Sequence, residues 1–358
     1  MNRKVKIVVS DFHIGKGRYL PDGRRNILED FIEDEEFIEF LEFYSGKQFA
    51  DADVELIANG DFFNMLQVDY QDRFIDMITE EVSMDKIERI LEGHKKLFDA
   101  MKVFCSHPLR NIVFTVGNHD AALLWLKVQK QLKQRLCPSI RFYPDVYSFD
   151  GVLITHGHRY EFINHFNPNA FWYETPDKER YMRLPWGSHF VIDFLNRMKA
   201  ERPFIDKVKP FRKYLRYSFF NDFRFFWKMI YHIVRFWFRN RFHADPFRRR
   251  EFKLSPARMA DAVTHESMIT GAEKILRKTN YRIVIMGHSH SYDFRQFGVH
   301  GEYFNTGTWT ETISLDVQTL GRSLDRTYVY IEYDDQGIPQ ATLKRWNGKY
   351  KVEEDLRV

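Results

Sequence analysis

Residues 5–13 read VKIVVSDFH, an apolar, β-branched run that ends directly in two side chains able to bind a metal ion. Four further segments repeat this order, with an apolar run followed by polar residues. The five apolar runs are Val5–Val9, Val54–Ala58, Ile112–Val116, Val152–Ile154 and Ile283–Met286. Short runs of this composition predict strands. We therefore expect the polar residues that follow them at the carboxyl ends of strands, where open α/β folds build their sites.

The polar segments after these runs are rich in His, Asp and Asn. They are Asp11-Phe12-His13, Gly60-Asp61-Phe62-Phe63-Asn64, Gly117-Asn118-His119-Asp120, His156-Gly157-His158 and Gly287-His288-Ser289-His290. Imidazole and carboxylate together suit Mn, Fe, Co, Ni or Zn, whereas an all-oxygen site suits Mg or Ca. One Asp-x-His occurs by chance in a chain of this length, but five such motifs in order do not. The pattern therefore predicts a metal site assembled from strand ends.

Phosphoryl transfer by two metal ions explains why these residue types occur together. Two divalent ions roughly 3.5–4 Å apart clamp the attacking and leaving oxygens, and water bound to them loses its proton near neutral pH and becomes the nucleophile. Ions that close need an anionic bridge, for which Asp61 is the candidate. The leaving oxygen needs a proton from a His that is not itself a ligand. We expect His119 to supply it, with the neighbouring Asp120 carboxylate orienting the ring and raising its basicity.

At these residues the chain resembles the calcineurin-like metallophosphoesterases, over about residues 1–160 and 280–310. The resemblance implies that His119 is the acid or the group that stabilises the transition state. It also implies two divalent ions, with Mn²⁺ as the first candidate and Fe, Zn, Co or Ni as alternatives. The implied ligands are Asp11, His13 and His290 for one ion, Asn118, His156 and His288 for the other, and Asp61 as the bridge.

Polar residues close to the motifs are candidates for binding the substrate. A basic stretch from Gly15 to Asn26 should form a surface loop near the site, and Asn64 and His158 each end a motif. We assign substrate binding to Arg24, Arg25, Asn64, His158 and Arg159.

The rest of the chain divides into an enzyme body and an insert. Helical spacing of apolar residues predicts helices at Glu35–Tyr44, Met84–Phe104, 121–136 and Ala257–Lys278. The segment after the fourth motif shows no strand pattern; its longest predicted helix is Phe211–Arg241, with a kink near Asn221-Asp222. We predict an α/β fold, a two-sheet sandwich flanked by helices (αββα), with residues 1–159 and 256–350 as the phosphoesterase domain and 160–255 as an inserted helical cap.

The insert is strongly basic and aromatic. The whole chain carries a net charge of +4, but residues 202–253 contain 15 Lys and Arg, 4 Asp and Glu, and 17 aromatic residues. We favour an anionic membrane surface as the partner of this segment, because basic and aromatic residues on one helix suit a helix lying in the interface. Packing on the enzyme body and binding to nucleic acid are the alternatives. A transmembrane span is excluded, since the longest charge-free run in the helix is Met229–Val234 and a span needs about 20 residues.

The order of the motifs and the position of the insert resemble the group around the bacterial UDP-2,3-diacylglucosamine pyrophosphatases. That group carries Arg after the Asn of the third motif, where this chain has His119. The resemblance implies a lipid-linked or other small phosphorylated substrate with a phosphoester or pyrophosphate bond. A nuclease or phosphodiesterase and a non-catalytic, metal-stabilised membrane-binding module remain alternatives.

The N-terminal sequence and the cysteines bear on the compartment. The chain enters its first predicted strand without a charged and apolar leader, so we expect a cytoplasmic protein, peripheral on the inner face of the membrane. Its two cysteines, Cys105 and Cys137, are expected to be buried free thiols.

Overall fold

A computed structural model describes residues 3–167, 171–243, 248–249, 265–317, 319–349 and 353–355. The strands are β1 (Lys4–Val9), β2 (Asp53–Asn59), β3 (Arg110–Thr115), β4 (Arg141–Tyr143), β5 (Val146–Phe149), β6 (Val152–Thr155), β7 (Trp172–Glu174), β8 (Arg180–Met182), β9 (Val208–Lys209), β10 (Ile283–Met286), β11 (Tyr292–Gln296), β12 (Glu302–Thr306), β13 (Thr312–Ser314), β14 (Gly321–Ser323), β15 (Thr327–Tyr333), β16 (Pro339–Trp346) and β17 (Glu353–Asp355). The α-helices are α1 (Asp34–Ser45), α2 (Glu80–Gly93), α3 (Lys95–Cys105), α4 (Leu126–Arg135), α5 (Trp186–Phe190), α6 (Asn196–Lys199), α7 (Phe211–Asn221), α8 (Phe223–Arg241) and α9 (His265–Lys278).

Two large sheets form the centre of the molecule. The seven-stranded sheet has the order β17-β16-β15-β1-β2-β3-β4, and the five-stranded sheet has the order β11-β12-β10-β6-β5. Strands β1 to β4 are parallel neighbours in the first sheet, while β6, β10 and β12 are parallel neighbours in the second. The predicted α/β sandwich with flanking helices is confirmed. Parallel strands point their carboxyl ends to one edge, so the motifs that follow β1, β2 and β3 reach the same edge.

Alternation along the strands explains how the sheets pack. Val5, Ile7 and Val9 of β1 face the core that the first sheet shares with α1 and α3, whereas Val8 faces the core between the two sheets, with Ile285 of β10. Successive strand residues point to opposite faces, so a strand covered on both faces reads as a continuous apolar run. The outer face of the second sheet packs against α9. The layers are therefore helices, sheet, sheet and helices.

Three predicted elements were wrong in detail. The single helix Met84–Phe104 is two helices, α2 and α3, which are separated at His94, where the backbone leaves the helical conformation with φ −123° and ψ 37°. The helix predicted at 121–136 begins as a 3₁₀ turn and becomes α-helical only from Leu126. The insert, predicted without strands, contains the β7–β8 hairpin and β9.

The insert has a small apolar core of its own and also joins the body. Phe194, Met198, Ile205, Phe225 and Met229 form that core. The predicted kink is confirmed, since α7 and α8 meet at Asp222. Strand β9 pairs in parallel with β13 from the C-terminal part of the chain. The domain boundaries at 159 and 256 stay a prediction, and residues 257–264 of the predicted helix before β10 lie outside the described residues.

The cysteines differ from expectation. Cys105 at the end of α3 and Cys137 after α4 are joined in a disulfide, with their Cα atoms 6.1 Å apart. The prediction of two free thiols was therefore wrong. The spacing of the two residues along the chain gave no sign of the pairing, which depends on how α3 packs beside the loop after α4.

A buried histidine joins three parts of the body. His94 lies between α2 and α3; its Nδ1 is 2.6 Å from Asp34 Oδ1, and its Nε2 is 3.4 Å from Glu29 Oε2. Burial opposes its positive charge, but the two carboxylates outweigh burial and raise the pKa of His94 to about 9. The protonated ring thus stabilises the fold below about pH 6.5, and this contribution is lost as the pH rises through about 9.

We expect this ring to make the free energy of unfolding depend on pH. The free energy of unfolding of the wild type should exceed that of His94→Gln by roughly 3 kcal/mol at pH 6. Most of this difference should be lost by pH 9.5. Urea unfolding of both proteins at the two pH values measures the difference. The exposed His107→Gln variant is the matched control. A gain over His94→Gln that is the same at both pH values would contradict the role of the charge.

Candidate metal centre

Ends of five strands bring the predicted metal ligands together. Three groups of side chains have ligand atoms within 4.8 Å of one another: Asp11, His13 and His290; His13, Asp61 and His119; and Asp61, His156 and His288. The groups share members, so they form one continuous site. The first sheet supplies Asp11, His13 and Asp61, and the second supplies the remaining histidines after β6 and β10, apart from His119, which follows β3.

The first group surrounds a point after β1. His13 Nε2 lies 2.9 Å from His290 Nε2, and Asp11 Oδ1 lies 3.4 Å from His290 Nε2 and 3.9 Å from His13 Nε2. The other oxygen of Asp11 accepts a hydrogen bond from the His288 backbone N–H at 2.8 Å, which ties the loop after β1 to the loop after β10. One carboxylate oxygen and two imidazole nitrogens therefore converge and remain available to a cation.

Asp61 lies between His13, a member of the first group, and His156, a member of the third. Its Oδ2 is 3.9 Å from His13 Nε2 on one side and 3.2 Å from His156 Nε2 on the other. Its Oδ1 accepts the His119 backbone N–H at 2.7 Å. Because one carboxylate faces ligands of both groups, Asp61 has the position that a bridging ligand needs.

The loops that carry these residues are tightly turned. The backbone φ angles of Asp11, His13, Asp61, His288 and His290 are all between 50° and 68°. Side chains other than glycine rarely adopt this left-handed conformation, and such residues cluster at functional sites. A Cβ at Gly117 would lie 2.2 Å from Asp61 Oδ1, so the Asn118 loop can pass the carboxylate only with glycine there. These strained backbone conformations, which cost stability locally, orient the side chains towards the centre of the site.

Unpaired buried atoms show that the site fits cations. Asp11 Oδ1, Asn118 Oδ1 and His156 Nε2 are fully buried and, among the described residues, have no hydrogen-bond partner. All three belong to predicted ligands. His156 Nδ1 lies 2.9 Å from the Asn59 backbone oxygen, which assigns the proton to Nδ1 and leaves Nε2 free for an ion. A buried polar atom without a partner is costly, and a cation is the partner that oxygen and imidazole nitrogen share.

A comparison with known families agrees with this geometry. The family described as Calcineurin-like phosphoesterase matches residues 6–292, which include all the predicted ligands. The chain belongs to this family. No curated protein matches the chain. Among solved structures, the chain is similar to a dimetal phosphatase from Danio rerio, with 10% identity over 99% of this chain and 98% of that chain and a TM-score of 0.38.

Membership in the calcineurin-like phosphoesterase family makes the protein a hydrolase of phosphoester bonds with a centre for two divalent ions. Asp11, His13 and His290 would hold one ion, Asn118, His156 and His288 the other, with Asp61 shared. When bound, such ions supply Lewis acidity and activate water near neutral pH.

Charge in the centre prepares it for cations. Burial opposes the charge on His156, but Asp61 and Asp11 raise its pKa to about 10, so without a cation this ring balances the carboxylates. Burial, with help from the neighbouring rings of His119 and His290, holds the pKa of His13 well below its usual range, which keeps that ring neutral. An ion binds imidazole only in its neutral form, so ion binding should weaken as the pH falls.

The structure corrects the assigned partner of His119. Asp120 accepts the backbone N–H groups of Gly117 at 2.7 Å and Phe62 at 2.9 Å, so it joins two loops and does not orient the ring. His119 Nδ1 lies instead 3.0 Å from Asn64 Oδ1. Asn64, assigned to the substrate, is buried and positions His119. The motif places Asp120 next to His119 in sequence, but after the turn the two side chains point in different directions.

The other assigned substrate contacts lie away from the cavity beside the metal ligands. Its lining includes His13, His119 and His290 but, among the described residues, none of the four remaining assignments. His158 is buried, with its ring stacked on Phe166 at a centroid distance of 4.6 Å, and its assignment to the substrate stays a prediction. Arg159 is bound to Asp145, and Arg24 is bound to Asp22 on an exposed turn that also carries Arg25.

Two charged residues at the centre were missed from the sequence. Glu161 Oε2 lies 2.5 Å from His288 Nε2, and although burial opposes it, His288 lowers the pKa of this carboxyl. Lys209 of β9 donates to the Ser289 backbone oxygen at 2.5 Å and lines the cavity. Glu161 follows the fourth motif closely, which was a usable signal. Lys209 belongs to no motif and reaches the site only because β9 pairs with β13.

We expect Asp61→Asn to abolish turnover and most metal binding, because the shared carboxylate charge is lost while its shape is kept. Metal content after dialysis against Mn²⁺ should fall from two ions towards one or none, and the rise in melting temperature on adding Mn²⁺ should shrink. The exposed Asp335→Asn variant should keep its metal content and the rise in melting temperature on adding Mn²⁺. Wild-type turnover in Asp61→Asn would contradict the proposed bridge.

Proposed function

We propose that this phosphoesterase hydrolyses a phosphoester or pyrophosphate bond of an amphiphilic, lipid-linked substrate at the surface of an anionic membrane. The observation that carries the proposal is an exposed aromatic stripe along α7 and α8. Its members are Phe220, Phe223, Trp227, Tyr231, Val234, Phe238 and Phe242, which are 46–71% exposed. The five members within α8, from Phe223 to Phe238, follow one another at intervals of three or four residues, so they lie on one side of that helix.

The opposite side of α8 is buried. Phe225, Met229 and Phe236 are at most 5% exposed and pack against the insert and α5. The helix therefore already has a buried apolar face, and the exposed aromatic residues form a second one. Contiguous exposed apolar surface is typical of interaction sites.

Basic residues line one flank of the stripe. Arg224, Lys228, Arg235 and Arg239 are exposed and project from the side of α8 next to the aromatic residues. An apolar face bordered by cations is the pattern of a helix that lies in the headgroup region of a membrane containing anionic lipid. Among the described residues, no helix is both long enough and apolar enough to cross a membrane.

The insert connects this surface to the candidate metal centre. Helix α7 begins at Phe211, two residues after Lys209, whose ammonium group lines the cavity beside His119 and His290. A lipid headgroup can thus be held at the metal centre while its acyl chains remain at the membrane-facing helix. The order of motifs resembles that of the UDP-2,3-diacylglucosamine pyrophosphatases, which supports the same class of substrate.

Vesicle binding tests the membrane surface directly. We expect Trp227→Ser/Tyr231→Ser/Phe238→Ser to lower affinity for vesicles containing anionic lipid by more than about 10-fold, because the buried apolar area is lost. Arg224→Gln and Arg235→Gln should each lower the affinity for anionic vesicles roughly 5-fold and change the affinity for neutral vesicles little. Val299→Ser/Val317→Ser, at residues 98% and 90% exposed, and Lys278→Gln are matched controls.

Hydrolysis tests the substrate class. The Mn²⁺-loaded enzyme is assayed on a lipid-linked pyrophosphate, a nucleic acid and a soluble aryl phosphodiester, with and without anionic vesicles. Hydrolysis of the lipid-linked substrate that vesicles enhance, and that the aromatic triple variant loses, supports the proposal. Cleavage of the nucleic acid alone favours a nuclease. Vesicle binding without hydrolysis of any substrate favours a binding module.

Lys209 is proposed as a contact to the substrate phosphoryl group. Its burial at the centre lowers its pKa to about 8, although Asp11 and Glu161 oppose this shift. We expect Lys209→Met to lower kcat/KM roughly 10- to 100-fold through the lost charge-assisted hydrogen bond, without loss of metal ions. Steady-state kinetics and metal analysis measure the two effects. The exposed Lys213→Met variant is the control, and an unchanged kcat/KM in Lys209→Met would contradict this contact.

A further inference from the structure

A chain of buried amides leads from His119 into the insert. His119 Nδ1 lies 3.0 Å from Asn64 Oδ1, and Asn64 Nδ2 donates to Gln67 Oε1 at 2.6 Å. Gln67 Nε2 donates to Asn196 Oδ1 at 3.1 Å, and Asn196 Nδ2 donates to the Leu66 backbone oxygen at 3.0 Å. The three amide side chains of this relay, Asn64, Gln67 and Asn196, are 1%, 3% and 4% exposed.

The direction of every hydrogen bond in the relay is determined at its far end. A backbone oxygen only accepts, so the atom of Asn196 that faces Leu66 must be the amide nitrogen. Its oxygen then faces Gln67, which must present its own amide nitrogen there. The Gln67 oxygen consequently faces Asn64, whose nitrogen donates to it. The Asn64 oxygen is left facing His119 Nδ1, which must carry a proton.

An independent contact fixes the same direction. Lys199 Nζ donates to Gln67 Oε1 at 3.3 Å, and an ammonium group cannot accept. Lys199 is itself held by Asp30 at 2.9 Å and by Asp206 at 2.7 Å, so this donor is fixed in place. Rotating the Gln67 amide would turn its NH₂ group towards Lys199 and leave buried donors unpaired, which is costly.

We propose that Gln67 and Asn196 are positioning residues that hold His119 in the Nδ1–H form, with Nε2 as the nitrogen that exchanges a proton with the substrate. Asn196 and Lys199 belong to α6 of the insert, whereas Asn64 and Gln67 follow β2 of the body. The ring nitrogen of His119 that carries the proton therefore depends on the docking of the insert against the body. A histidine held in the wrong tautomer loses most of its value as an acid or base, because the proton is on the wrong nitrogen.

A spectroscopic test examines the tautomer in the wild-type protein. The full chain is labelled with ¹⁵N-histidine and loaded with Zn²⁺, which is diamagnetic, and the His119 signals are identified by their loss in His119→Gln. We expect a protonated Nδ1 and an unprotonated Nε2. A neutral His119 protonated at Nε2 in the wild-type protein would overturn the proposal.

A kinetic test separates positioning from a merely structural role. Gln67→Met keeps the length but removes both polar atoms, whereas Gln67→Glu keeps an acceptor for Asn64 and Lys199. On an alkyl phosphoester, whose leaving oxygen needs a proton, Gln67→Met should lower kcat about 10-fold or more, with little change in KM. On a p-nitrophenyl phosphoester, whose leaving group needs no proton, the kcat of Gln67→Met should fall less than about 3-fold.

The remaining variants test the path of the relay. Gln67→Glu keeps the acceptor for Asn64 and Lys199 but loses the donor to Asn196, so its kcat on the alkyl ester should fall less than that of Gln67→Met. Asn196→Leu leaves Lys199 to hold Gln67, so it should show a smaller loss that is again selective for the alkyl ester, while Asn221→Leu, at an exposed position of the same insert, should show none. Equal losses on both esters in Gln67→Met and Asn196→Leu would show a structural role and overturn the proposal. Both esters are soluble, so failure here is distinct from failure of the membrane proposal.

Discussion

Two buried carboxylates, Asp11 and Asp61, lie where the carboxyl ends of the strands meet, and the rest of the centre depends on neutralising them. Burying such charges is costly unless they are paired. Without a cation the protonated His156 ring compensates them, and the surrounding imidazoles would be ligands for bound cations. The left-handed loop residues and the close approach of Gly117 serve this one requirement, since they aim the ligands at a common point.

The insert relates to this centre in two ways. Its inner side contributes Lys209 to the cavity and Asn196 and Lys199 to the contacts behind His119. Its outer side carries the exposed aromatic stripe with its basic flank. A single segment thus contacts the reacting region from behind and presents an exposed apolar surface on the outside. This arrangement provides a physical route by which docking of the insert acts on the acid–base group.

Much of the fold could be predicted because burial leaves a local record. Runs such as Val5–Val9 and Ile283–Met286 are apolar throughout, since each strand is covered on both faces, and their ends were located to within one or two residues. The break between α2 and α3 left no comparable record. Apolar periodicity continues through Gly93 and His94, and only the tertiary structure shows the close approach of the Lys16 backbone that requires glycine at position 93.

The sequence by itself determined the chemistry of the centre, because each ligand lies directly after a strand and parallel strands deliver such positions to one edge. It could not determine the direction of side chains after a tight turn. Asp120 follows His119 in the chain yet binds backbone groups, while Asn64, distant in sequence, meets the ring. The roles of Lys209 and Asn196 could likewise not be predicted from the sequence, since their positions depend on how the insert packs on the body. Hydrogen-bond direction is a property of three-dimensional contacts, and only the tertiary structure decided it.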